Sequence, residues 1–133
     1  MERNEEHSAA QACNLGAVAA WIGAYNAQDF EGLAAVSHDG FRVEDPATGT
    51  FIDGADGFAE LARDVVQLYP DRRISITQML PLGNGAVAVQ GDWDGTAAAA
   101  TPTGAQAGDA VHHIESMLIE LVDGRITLMR VYR

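Results

Sequence analysis

In Phe41-Arg42-Val43-Glu44-Asp45-Pro46 a carboxylate stands among apolar side chains. Successive side chains of a strand point to opposite faces, so Asp45 shares a face with Phe41 and Val43, while Arg42 and Glu44 turn toward water. A carboxylate withdrawn from water is a stronger base, which makes Asp45 a candidate general base at the end of its strand. The segment also has a plain structural reading. Asp before Pro is common turn chemistry, and Asp45-Pro46-Ala47-Thr48-Gly49 reads as a turn that Asp45 would cap. On this segment alone both readings stand.

A second acid lies further along, on the strand that follows His112. Its odd positions are His113, Glu115, Met117, Ile119 and Leu121, and its even positions are Ile114, Ser116, Leu118 and Glu120. The odd face is the more continuously apolar, so Glu115 is expected to point inward with His113 beside it; apolar residues on the even face keep the opposite orientation open. Two acids in one apolar cavity resist both being charged, which leaves one protonated and the other ionised. Such a pair suits enol shuttling beside a carbonyl, aldol-type ring closure, or epoxide opening with one acid protonating oxygen and the other activating the attacking hydroxyl.

Around this pair, Trp21, Tyr25, Trp93, His113 and Met117 are the candidate substrate-contacting residues. Trp21 and Tyr25 lie one helical turn apart, where they either line a pocket or pack their helix onto a sheet. Trp93 alternates with Val87 and Val89 and reads as a core or cavity-wall residue. Neighbouring His112 and His113 point to opposite faces of a strand and cannot chelate one ion, and no third ligand stands in register, so no metal site is expected. Cys13 reads as a small buried hydrophobe, and Arg72 and Arg73 as surface residues.

The elements that must position these residues follow from periodicity. Between Ser8 and Ala27, apolar residues at helical spacing predict an amphipathic first helix. Asp29 reads as the N-cap of a short second helix through Val36, and His38-Asp39-Gly40 leads into the Asp45 strand. A brief strand at Thr50 to Ile52 pairs back with it. A third helix starts near Asp56, carries Phe58, Leu61, Val65 and Leu68 on one stripe, and ends before Pro70. Beyond Pro70 the period changes to two. A strand from Ile74 to Leu82 turns at Asn84-Gly85 into Ala86 to Trp93, residues 96–109 form an irregular stretch, and Val111 to Leu121 returns through Asp123-Gly124 into Ile126 to Tyr132. Helices first and antiparallel strands after indicate an α+β architecture with helices on one concave face of a curved sheet.

Composition narrows the partners. At 133 residues with a formal charge of -11, the chain reads as a single domain, and nucleic acid or an anionic membrane would be repelled. An apolar or neutral small molecule suits it better. All eight basic residues are Arg, which removes lysine Schiff-base chemistry. A lone cysteine allows no intramolecular disulfide, the first residues lack signal-peptide character, and no apolar run approaches the roughly 20 residues of a membrane span. These features predict a cytoplasmic protein with a flexible stretch at residues 1–8.

Over nearly all of residues 12–133 the chain resembles the SnoaL-like polyketide cyclases and the ketosteroid isomerases, which share the cone-shaped fold of nuclear transport factor 2. The phrases that carry the resemblance are Tyr25-Asn26-Ala27-Gln28-Asp29, Val43-Glu44-Asp45-Pro46, Gly54, Tyr69-Pro70-Asp71, Gly91-Asp92-Trp93-Asp94-Gly95-Thr96, Pro102-Thr103-Gly104, Asp123-Gly124-Arg125-Ile126 and Arg130-Val131-Tyr132. The resemblance implies about three N-terminal helices on a strongly curved, mainly antiparallel sheet. It sets Asp45 where ketosteroid isomerases keep the aspartate that moves a proton between carbons, and Glu115 where they keep the protonated acid of the oxyanion hole. Their oxyanion-hole tyrosine falls on Trp21, whose indole N–H donates a hydrogen bond but is no proton source. The cyclases' histidine after Gly-Thr is Ala97 here, and the carboxylate of their last strand is Arg130. Epoxide-opening polyether cyclases look related around Glu-Asp-Pro. Together these imply a cofactor-independent isomerase or cyclase for an apolar, polyketide-like substrate; the rival expectation is a non-catalytic binder of an apolar metabolite. A homodimer is also implied, formed through the convex sheet face that bears Ile114 and Leu118.

Overall fold

The computed structural model describes residues 2–132, with side chains from residue 9 onward. The side chains of the predicted flexible stretch at residues 1–8 lie outside the described residues. The elements run α1 (Glu2–Ala27), α2 (Phe30–Ala35), β1 (Ser37–Asp45), β2 (Thr50–Asp53), α3 (Gly54–Leu68), β3 (Arg73–Pro81), β4 (Val87–Thr96), β5 (Ala110–Val122) and β6 (Arg125–Tyr132). The strands form one curved six-stranded sheet in the order β2-β1-β6-β5-β4-β3. Only β1 against β6 is parallel among the described strands. This is the predicted α+β cone.

Helix α1 buries Val18, Trp21, Ile22 and Tyr25, the i, i+3, i+4, i+7 stripe of a helix laid on a sheet. Asn14 continues the stripe, donating from Nδ2 to the Gly85 carbonyl at 3.0 Å. At its other end the Asn26 side chain takes the place of a strand partner for Ile74. Its Nδ2 donates to the Ile74 carbonyl and its Oδ1 accepts from the Ile74 N–H, both at 2.9 Å. The helix is thereby fixed to the β3 edge of the sheet. Cys13 does not follow the sequence expectation, because it is exposed. At 100° per residue it stands about a quarter-turn from Asn14, off the buried stripe.

Asp29 caps α2 as predicted, accepting from Gly32 N–H at 3.0 Å. Helix α3 turns Phe58, Ala59 and Ala62 inward. Between β5 and β6, Asp123 (φ 53°) and Gly124 (φ 75°) form the two-residue turn that both positive φ values define. The β3–β4 connection is one residue longer than the Asn84-Gly85 pair suggested. Leu82 N–H bonds to the Ala86 carbonyl at 2.8 Å, which closes a three-residue loop over Gly83, Asn84 and Gly85 with Gly85 at φ 84°. Asn84 serves it from the side chain, its Oδ1 accepting from Ala86 N–H at 3.1 Å.

Candidate active site

The concave face of the sheet, α1 and α3 enclose a cavity of about 550 Å³ walled mainly by apolar and aromatic side chains. That volume suits a drug-sized molecule. Asp45 and Glu115 both line it. So do the five candidate contact residues, Trp21, Tyr25, Trp93, His113 and Met117.

Strand β1 delivers Asp45 by alternation. Phe41, Val43 and Asp45 are buried, and Arg42 is exposed between them. Glu44 faces outward and holds two guanidinium groups, accepting from Arg130 Nε at 2.9 Å with Arg42 Nη2 at 3.1 Å. Arg130 is thus an outer-face partner in register with Glu44. Asp45 pairs with Thr50 at the mouth of the β1–β2 turn, where Thr48 Oγ1 donates to Thr50 Oγ1 at 2.8 Å. Thr48, Thr50 and Thr103 also line the cavity.

Strand β5 delivers Glu115 in the same manner, with Glu115, Met117 and Ile119 buried and Ile114 exposed. The odd face is the inner one. Glu115 stands opposite Gly91 of β4, and a side chain cannot be added there, because a Cβ at position 91 would lie 2.7 Å from the Ser75 carbonyl oxygen. His113, two residues along the same face, brings Nε2 to 3.0 Å from Glu115 Oε1. His113 in turn stacks on its cross-strand partner Trp93, with ring centroids 4.9 Å apart and planes within 8°. Tyr69 meets the Trp93 ring edge-on at 5.0 Å. Trp93 Nε1 donates to Tyr25 Oη at 3.1 Å, which ties the sheet wall to α1. Tyr25 stacks on Trp21 at 5.8 Å. Burial is the largest influence on the Tyr25 phenol and raises its pKa, with the Glu115 charge adding; the Trp93 bond and the Arg72 cation oppose.

Arg72 corrects the sequence reading. It is 3% exposed and not on the surface; its Nη2 donates to the Tyr25 carbonyl at 2.9 Å and its Cζ lies 4.1 Å from the Tyr25 ring centroid. No ion pair among the described residues includes Arg72. The only signal available in sequence was its place just after the Tyr69-Pro70-Asp71 phrase. His112, on the outer face, pairs with Asp92 at 2.9 Å, and that bond raises its pKa. Among the described residues no three His, Cys, Asp or Glu side chains converge as metal ligands, and no helix is long and apolar enough to cross a membrane.

A cone of three helices on a curved sheet, with an apolar cavity inside it, defines a protein of the nuclear-transport-factor-2-like class. The model of the SnoaL-like domain matches residues 18–129, and the chain belongs to that family. Solved structures share the fold at low identity. A candidate polyketide cyclase from Xanthomonas campestris pv. campestris is 19% identical with a TM-score of 0.80, the match covering 93% of this chain and 92% of that one. TerC, co-crystallised with polyporic acid, is 19% identical with a TM-score of 0.74 and 90% coverage of each chain. A hypothetical protein with a ketosteroid isomerase-like fold from Catenulispora acidiphila DSM 44928, in complex with trimethylamine, is 17% identical with a TM-score of 0.74, covering 88% of this chain and 84% of that one. No curated protein matches the sequence.

Proposed function

We propose that the protein is a cofactor-independent isomerase or cyclase that moves protons on an apolar, polyketide-like substrate, with Asp45 as general base and Glu115 as the second acid. One observation carries this reading: two carboxylates, each 6% exposed, project from separate strands of one sheet into the same apolar cavity. Burying carboxylates is costly, and a cavity that does so twice has a use for them. Membership of the SnoaL-like family supports the same class of chemistry. Carbonyl-directed reactions, enol shuttling or aldol closure, and epoxide opening all fit an acid and a base that share one cavity.

Native mass spectrometry of protein purified without denaturation tests the substrate class. The expected adduct is an uncharged ring compound bearing a carbonyl or epoxide oxygen; capture of a phosphorylated or polyanionic metabolite would overturn the reading. We further propose that the protein works as a cytoplasmic homodimer. Ile114, Leu80 and Tyr132 are 55%, 48% and 47% exposed on the convex face, an apolar patch beside Leu118. Light scattering should give twice the chain mass for the wild type and the single-chain mass for Ile114→Asp. A monomeric wild type would refute this part.

A further inference from the structure

Resting on that reading of the cavity, we propose that the Tyr25 phenol is a hydrogen-bond donor to a ligand oxygen, backed by the buried Arg72 guanidinium. The ligand then carries a carbonyl, enol or phenol oxygen at its α1 end. Trp93 fixes the direction of one contact. An indole N–H only donates, so across the 3.1 Å contact Tyr25 Oη must be the acceptor. The phenol's own hydrogen is therefore directed elsewhere, and Tyr25 lies in the cavity wall.

The surroundings hold this donor in place. Trp93 is fixed between Tyr69 and His113, and the Tyr25 ring stacks on Trp21. Because its pKa is raised, the phenol keeps its proton through neutral pH. Behind the ring stands Arg72, whose Nε and Nη1 are buried without a hydrogen-bond partner. A cation held out of water strengthens the pull on negative charge growing at an oxygen that Tyr25 bonds, and the site needs no rearrangement as that charge appears. Trp21, which falls at the position of the isomerases' tyrosine, leaves its own Nε1 buried and unpartnered. Tyr25, one turn further along α1, supplies the phenol.

Equilibrium binding separates this inference from the catalytic proposal. The probes are 2-naphthol and 2-methylnaphthalene, of similar shape and differing in one oxygen, titrated by fluorescence. In Tyr25→Phe the affinity for 2-naphthol should fall about tenfold while 2-methylnaphthalene binds within about twofold of wild type. Unchanged 2-naphthol binding would overturn the inference alone, and that is also the result if the phenol gives its hydrogen to Glu115. Loss of both probes in Tyr25→Phe would mark a misfolded variant. Arg72→Met then decides in the same titration: selective loss of 2-naphthol upholds the inference, and equal binding of both probes at wild-type affinity or equal loss of both overturns it. Failure of wild type to bind either probe would overturn the cavity reading and this inference with it.

Discussion

Asp45→Asn should slow proton transfer by about 100-fold or more, the usual loss when a positioned general base is removed. A convenient reaction is the exchange of the α-protons of 2-tetralone in deuterated water, followed by NMR. This compact apolar ketone suits the 550 Å³ cavity. Asparagine has the shape of aspartate and keeps a carbonyl oxygen where the carboxylate stood, but it accepts no proton at neutral pH. The variant should bind 2-tetralone as wild type does, because the apolar wall that supplies affinity is untouched. Its Tm should stay within about 3 °C, since asparagine fills the same volume and keeps a hydrogen-bond acceptor at the same place. An Asp45 whose role is confined to its own turn would show the opposite pattern. Exchange would be unaffected and the melting temperature lowered.

Phe41→Ala carries the largest expected effect on stability. Phe41 is 2% exposed and occupies the junction of three elements. It meets the Phe58 ring of α3 edge-on at 6.2 Å and the Trp21 ring of α1 at 6.4 Å. Truncation removes a whole ring from the packing between β1 and the Trp21 and Phe58 rings, and neighbouring rings are too rigid to fill the void. A loss of about 3–5 kcal/mol follows. That is a large share of the roughly 5–15 kcal/mol that holds such a domain together. Denaturant midpoints and calorimetry should register it as a fall in Tm of more than about 10 °C. Phe41→Leu, which retains most of the volume, should lose well under half as much.

Much of this arrangement was legible in the chain. The inward turn of Asp45 followed from its two-residue spacing behind Phe41 and Val43, and that of Glu115 was the expected one of two open orientations, from its place between His113 and Met117. Both are local patterns that a strand converts directly into a face. The Asp123-Gly124 turn was legible for the same reason, as two adjacent residues that tolerate positive φ. What escaped was set by distant contacts. Arg72 looks like any charged residue after a helix, and its burial depends on α1 being fixed above it by Asn26, whose bonds to Ile74 span 48 residues. The bond from Trp93 to Tyr25 spans 68. Cys13 departs from the expectation because it lies five positions before Val18, a spacing that places the two on different sides of a helix. In the β3–β4 loop, Gly83 joined the turn because Leu82 and Ala86 form the closing pair, a choice that Asn84-Gly85 alone does not dictate.

Whether Asp45 and Glu115 work as a pair is tested most directly by a double-mutant cycle on 2-tetralone exchange. Rates are measured for wild type, Asp45→Asn, Glu115→Gln and the double variant at saturating ketone. Groups that share one proton transfer lose their effect together, so the double variant should be no more than about threefold slower than Asp45→Asn alone. Losses that multiply, or exchange by Asp45→Asn as fast as by wild type, would contradict it.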